Sequence, residues 1–208
     1  RELIDFHVDV ARGGAAMTTV AYCAVSKGGR VNRHSLVFTE ELVPELVTLT
    51  DAVHAEGAAI SAQLGHSGLV AQAQSKKYPS MAPSARFSAP AKGRVKQATP
   101  ADLDQVLADF ERATRVAIAA GFDAVEVHLG HNYLLSSFLS PNLNHRRDEY
   151  GGSIENRMRF PRRVVEAVRK VADGKVAVLA TFNMADAGDG ALWLDESLRM
   201  AALLQADG

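Results

Sequence analysis

One unit recurs along this sequence: a short apolar run rich in β-branched residues, a polar loop, and an amphipathic helix that stops at glycine. The spacing predicts an opening helix over Arg1 to Arg12, closed by Gly13 and Gly14. Strands are predicted over Met17 to Val25, Ala58 to Leu64, Asp123 to His128 and Val176 to Phe182. Thr39 is the expected cap of a helix from Glu40 to Glu56, and Thr99 with Pro100 opens the next, which carries Leu103, Val106, Leu107, Phe110 and Ala117 on one face up to Gly121. Ser153 starts a helix that buries Phe160, Val164, Val165, Val168 and Val171, and Asp195 is the expected cap of a last helix running toward Gly208. Alternating strands and helices imply an α/β fold with a parallel sheet and right-handed crossovers.

Two architectures share that grammar, an open doubly wound sheet and a TIM (β/α)8 barrel. The segments that follow the strands are long and chemically varied (65–98, 129–152 and 183–194), whereas the returns from helix to strand are short. That asymmetry suits a barrel whose site lies at the C-terminal ends of the strands. Neither GxGxxG nor GxxxxGK[ST] follows a strand, so the usual nucleotide fingerprints of open sheets are absent. Four βα units do not close a barrel of about eight strands. The expectation is therefore one partial TIM-barrel domain over residues 1–208. Beginning at Arg1 rather than Met, it reads as a piece whose strand edges are covered by further chain segments or by another copy in a homo-oligomer.

Composition narrows the function classes. With 208 residues, 47% of them hydrophobic, the chain has material for a real core. No stretch approaches the roughly 18 apolar residues of a membrane span, and no signal-peptide pattern opens the chain, so no membrane role is expected. A formal net charge of −1 removes the general attraction to phosphate on which nucleic-acid binders rely. The single Cys23 forbids an internal disulfide and suits a reducing, cytoplasmic setting.

Chemistry concentrates at two predicted strand ends. In Val125-Glu126-Val127-His128-Leu129-Gly130-His131-Asn132-Tyr133, alternation puts Glu126 and His128 on one side, with His131 and Tyr133 following in the loop. Two imidazoles and a phenol there can hold a polarised carbonyl oxygen and deliver a proton. An ordinary loop with satisfied polar groups is the bland alternative. A metal pair is a weak one, because His-x-x-His alone lacks the partners and spacing of a zinc site. Gln63-Leu64-Gly65-His66-Ser67-Gly68 is the second candidate: the Gln63 amide offers a donor and an acceptor, suited to the edge of a heteroaromatic ring or equally to a neighbouring strand end. The charged segment from Phe138 to Phe160 reads as a loop pinned by its own salt bridges and hydrogen bonds.

Taken together, Gly121-Phe122-Asp123, the His128/His131/Tyr133 strand end, Phe138-Leu139-Ser140-Pro141, Asp148-Glu149-Tyr150-Gly151-Gly152-Ser153 and Glu155-Asn156-Arg157 strongly resemble the old yellow enzyme family of FMN-dependent oxidoreductases. The likeness is nearer to its branch of bacterial NADH:flavin oxidoreductases and 2,4-dienoyl-CoA reductases. The resemblance implies FMN across a barrel mouth, reduced by NADH or NADPH, with hydride passing to the β-carbon of an α,β-unsaturated carbonyl compound, a small-molecule enone or enoyl substrate. By matching positions it implies that His128 and His131 bind the carbonyl oxygen, that Tyr133 protonates the α-carbon, and that Gln63 meets the flavin's pyrimidine edge. Tyr22 falls where relatives often have a small residue against the flavin.

Three departures accompany the resemblance. The matched region begins after the family's first barrel strand and ends before the last three, whose loops hold the FMN phosphate, so the isolated chain is expected to bind FMN poorly. Thr181 stands where relatives carry Arg or Lys beside flavin N1, a cation that offsets the charge of the reduced ring. The iron–sulfur segment of the dienoyl-CoA reductase branch would fall beyond residue 208. The competing expectation is a catalytically silent barrel fragment or structural protein without flavin.

Overall fold

The computed structural model describes residues 1–72, 75–186 and 188–207. In chain order the elements are α1 (Glu2–Arg12), β1 (Met17–Ala24), β2 (Leu36–Val37), α2 (Val43–Ala55), β3 (Ala59–Gly65), β4 (Met81–Ala82), β5 (Arg86–Ser88), β6 (Gly93–Gln97), α3 (Pro100–Ala119), β7 (Ala124–Leu129), α4 (Leu134–Leu139), α5 (Ile154–Ala172), β8 (Ala177–Phe182) and α6 (Leu194–Ala206). Five strands form one parallel sheet in the order β2-β1-β3-β7-β8, and β4, β6 and β5 form a small second sheet within the β3–α3 crossover. The fold is α/β, a part of a barrel.

Strand alternation sorts the side chains. Ile60, Ala62 and Leu64 of β3 and Val125, Val127 and Leu129 of β7 are fully buried in the core that the helices complete with Leu49, Val53, Leu103, Phe110, Phe160 and Val164. Each such side chain contributes roughly 1.5–3 kcal/mol on burial. The opposite face carries Ser61, Gln63, Glu126 and His128, so the polar positions share the face away from that core.

Helix starts follow the expected chemistry in two places. Thr99 caps α3 in a reciprocal capping box with Asp102, and the Ser153 hydroxyl accepts the Asn156 N–H at the start of α5. Elsewhere the boundaries differ. Thr39 precedes a 3-10 turn over Glu40–Leu42 and makes no side-chain cap, so α2 begins only at Val43, with Pro44 in its first turn. Asp195 does not cap α6: Trp193 holds that position, and Asp195 lies inside the first turn, where its charge faces the positive end of the helix dipole. β1 ends at Ala24, one residue early, and of the first glycine pair only Gly14 takes a positive φ. Gly208, toward which the last helix was expected to run, lies outside the described residues. The described residues contain no helix long and apolar enough to cross a membrane.

The charged segment before α5 is pinned internally. Arg146, its side chain 3% exposed, makes a forked pair with Asp148 and donates to the carbonyls of Pro83 (3.1 Å) and Ala98 (2.8 Å), while its guanidinium lies within 6 Å of the Phe138 and Tyr150 ring centres. One side chain thus ties the loop after α4 to the adjoining C-terminal ends of β4 and β6 in the small sheet. Replacing it, Arg146→Met, leaves the carbonyls of Pro83 and Ala98 without this donor, while half-exposed Asp148 keeps water and the Tyr150 N–H. The expected loss is about 3 kcal/mol in urea unfolding, from the two unsatisfied acceptors and the lost packing, and a loss below about 1 kcal/mol would show that the loop is held by other means.

Buried histidines make the fold sensitive to acid. His66, 2% exposed, accepts the Gly68 N–H at Nδ1, and burial pushes its pKa down to about 4; His7, bonded to Thr18 Oγ1 at 2.7 Å, is also lowered by burial. The unfolded chain takes up these protons at the ordinary value near 6.5. The unfolded state therefore binds more protons between pH 6.5 and 4, and stability falls as pH is lowered through that window. Urea midpoints measured across it should decline, with a shallower slope in His66→Gln; parallel slopes would show that His66 titrates alike in both states.

Candidate functional site

The site grows from the register of three strands. Gln63 of β3 pairs with Glu126 of β7, and His128, two residues on, lies level with Thr181 of β8. Glu126 Oε1 collects both neighbours: Gln63 Nε2 donates to it at 2.7 Å and the Thr181 hydroxyl at 2.5 Å. One step toward the strand N-termini, Thr19 and Ser61 share a hydroxyl–hydroxyl bond of 2.7 Å. The face away from the core is thus a layer of cross-strand polar pairs.

Above it sits an aromatic layer. The register of β1 against β3 shifts between Val20 and Cys23, so Ala21 and Tyr22 leave the ladder and the Tyr22 ring swings over β3. Gly65 makes room for it: a methyl group there would lie 2.5 Å from Tyr22 Cε2 and 3.2 Å from His128 Cβ. Tyr22 Oη donates to the Gly29 carbonyl at 2.7 Å, and its ring meets Tyr133 edge-on at 5.3 Å between centres. Tyr133 in turn lies 5.0 Å from the His128 ring and 5.9 Å from that of His131, and His131 Nδ1 is 3.1 Å from His128 Nε2.

The loop after β7 brings these groups together by an unusual path. His131 and Asn132 both take left-handed backbone (φ 58° and 55°), a region uncommon for non-glycine residues though Asn and His enter it more readily than most. Hydrogen bonds hold it at both ends: the His131 N–H donates to Asn183 Oδ1 at 2.9 Å, and the Leu134 N–H donates to the His66 carbonyl at 2.8 Å. Gly68, at φ 57°, packs so closely on Leu134 that a methyl group would lie 2.7 Å from its backbone.

Electrostatics set the protonation states. Burial, and secondarily the neighbouring His131, pushes His128 down to about 4 against the opposing pull of Glu126, so it is neutral near pH 7. Burial raises Tyr133 above the ordinary phenol value and Tyr22 well above it, so both phenols keep their protons. His128 Nδ1 is buried without a hydrogen-bond partner among the described residues. The neutral His128 imidazole beside His131, with a protonated phenol on the same wall, can bind an acceptor's polar atom and donate a proton to it. A groove of about 530 Å³ borders this wall along β1, lined by Tyr22, Tyr133, Ala21 and Leu36 among others. No group of three or more metal-ligating side chains occurs among the described residues.

The structure therefore joins His128, His131, Tyr133 and Tyr22 in one cluster. Gln63 and Thr181 sit beside it, bonded to Glu126, so the strand-end partner left open for Gln63 in the sequence is found. Sequence reasoning did not assign Glu126 its bonding role or notice Gly65, Asn183 and Asp186. Glu126 was legible by its alternation with His128; Gly65 and Asn183 act through contacts across 40 or more residues, and Asp186 bonds locally, to Asn183 and Leu192, with no motif to mark it.

The NADH:flavin oxidoreductase / NADH oxidase family matches residues 2–204. Over 207 residues the chain is 64% identical to the 4,4'-dithiodibutanoate disulfide reductase of Rhodococcus erythropolis, covering all of this chain and 51% of that protein. It is 35% identical to the NADPH dehydrogenase of Listeria welshimeri, covering 98% of this chain and 60% of the relative. The chain thus spans about half to three-fifths of the length of these relatives. Among solved structures, morphinone reductase in complex with tetrahydroNAD superposes with a TM-score of 0.87 at 26% identity, over 100% of this chain and 62% of that one. The parallel sheet, the strand-end cluster and a match spanning nearly every residue agree: this chain belongs to the NADH:flavin oxidoreductase / NADH oxidase family, the old yellow enzyme family of FMN-dependent, NAD(P)H-using oxidoreductases.

Proposed function

We propose that this chain carries the acceptor-binding wall of an FMN-dependent NAD(P)H oxidoreductase that reduces the activated C=C of α,β-unsaturated carbonyl compounds. The observation that carries this reading is the convergence of two imidazoles and one protonated phenol, with His128 Nδ1 buried and unpartnered. The residues suit a flavin ring: Gln63 has amide atoms beyond its bond to Glu126 for a heteroaromatic edge, and the Tyr22 and Tyr133 rings, with His128 packed beside them, border an open groove. When bound, FMN supplies the hydride, drawn from NADH or NADPH.

The chain's own residues do the rest. His128 and His131 hold the carbonyl oxygen by N–H donation and polarise the conjugated bond. Tyr133, its proton retained by burial, gives that proton to the α-carbon. Thr181 contributes a neutral hydroxyl to Glu126 where a cation would offset charge on a reduced ring. The sheet edges at β2 and β8 are covered by further protein, either more chain or a second copy, in the active form.

A second acceptor class, an organic disulfide, is favoured by the 64% identity to a disulfide reductase. There hydride delivered to one sulfur would break the S–S bond to give one thiol and one thiolate, and Tyr133 would protonate the departing thiolate to the second thiol.

Two measurements test the proposal. In a protein whose barrel is complete, FMN should give a bound-flavin absorption spectrum, strengthened in Thr181→Arg, which should also speed reduction by NADH; a completed barrel that stays colourless in both forms would support the silent reading. Tyr133→Phe should slow turnover of an enone about 100-fold while leaving flavin reduction by NAD(P)H near its original rate. Equal slowing of both half-reactions would remove Tyr133 as proton donor, and faster turnover of 4,4'-dithiodibutanoate than of any enone would favour the disulfide reading.

A further inference from the structure

The segment after β8 holds the loop after β7 through one amide. Asn183 Oδ1 accepts the N–H of His131 at 2.9 Å, and its Nδ2 donates to Asp186 Oδ1 at 3.0 Å. Asn183 is itself anchored: Ser197, fully buried on α6, donates to the carbonyls of Asn183 (3.3 Å) and Met184 (2.9 Å). The Asp186 N–H donates to the Leu192 carbonyl at 2.8 Å, while its second carboxylate oxygen is buried with no partner among the described residues. The residue so gripped, His131, is the first of two consecutive left-handed residues and the one whose ring faces His128.

We infer that Asn183 is a positioning residue for the acceptor site, holding the His131–Asn132 turn in its left-handed form so that the His131 imidazole stays against His128. The inference rests on the function proposed above for the histidine pair. The physical reason is the backbone: His and Asn enter the left-handed region more readily than most residues, yet two successive positive φ values are uncommon without glycine, so an external acceptor for the His131 N–H selects that conformation. The amide suits the task because it accepts from His131 with one atom and donates to Asp186 with the other, which fixes its orientation. Alanine keeps neither bond. The pair Asn183→Asp with Asp186→Asn keeps both, with donor and acceptor exchanged, and places a neutral amide where the unpartnered carboxylate oxygen lies.

The test reads the imidazoles directly in the full chain, with or without FMN. The groups facing His128 are His131 and Tyr133 on its own loop, Glu126 on its strand, and Tyr22 from β1. In long-range ¹H–¹⁵N spectra, Asn183→Ala should move the ring signals of His131 and His128 and raise the titration midpoint of His128, because a departing His131 removes a like charge and opens the ring to water. The Asn183→Asp/Asp186→Asn double variant should restore the original spectra. In flavin-loaded protein, Asn183→Ala should raise the KM for the acceptor and lower kcat/KM about 10- to 100-fold. Imidazole spectra unchanged in Asn183→Ala, or altered equally in the double variant, overturn the inference even where thermal unfolding shows a weaker fold. Should Asn183→Ala fail to fold, Asn183→Ser, too short to span the same bonds, takes its place with the same outcomes. Loss of flavin binding or turnover in the parent chain bears on the proposed function alone, because the spectra need neither.

Discussion

The parallel approach of β1, β3 and β7 at Gly65 is the constraint on which the site depends. Only a residue without a side chain lets the Tyr22 ring cross the end of β3 and reach the edge of Tyr133, with His128 alongside. From there the loops lock in series. The Val25 N–H donates to Gly65, Ser67 to the Gly29 carbonyl, Leu134 to His66, and His131 to Asn183. Each bond satisfies a backbone group that the end of a parallel sheet would otherwise leave to water. Each also transfers the position of one strand to the loop of the next, so side chains far apart in sequence, Tyr22 and Tyr133 among them, come into contact.

That geometry decides charge as well as position. The imidazole of His128 is sheltered enough to stay neutral, while Glu126, one turn of the pleat below, is shared by two neutral donors. The two donors to Glu126 are an amide and a hydroxyl, neither of them a cation. The phenols answer in the same sense, since desolvation keeps their protons in place. The wall is therefore rich in protons that can be given and poor in cations that could hold an anion.

Much of this was legible in the sequence because it rests on local rules. Alternation in Val125-Glu126-Val127-His128 fixed which residues face away from the core, and the Thr99-Pro100 and Ser153 starts appear as read. The charged segment after Phe138 is pinned by its own Arg146–Asp148 pair and Asn144 bonds, as expected, and Arg146 also reaches the carbonyls of Pro83 and Ala98. Other features escaped because they are made by distant contacts. The small sheet between β3 and α3 has strands of two to five residues, too short for a period to show, and α4 is six residues whose side chains are all buried, so no amphipathic face marks it. Thr39 and Asp195 have the right chemistry for caps but the wrong place, displaced by a 3-10 turn and by Trp193. The bulge that frees Tyr22 depends on the pairing of β1 with β3, which no window of one strand contains.

Arg146 holds the small sheet by the carbonyls of Pro83 and Ala98, groups that every amino acid supplies. The mooring is therefore blind to the side chains between those two points. Mutation can rewrite the surface that this insertion presents, swapping its bulk, polarity or shape, while the clamp beneath goes on gripping the same two oxygens. A scaffold fastened in that manner lets its outer contour diversify at little cost to the fold below.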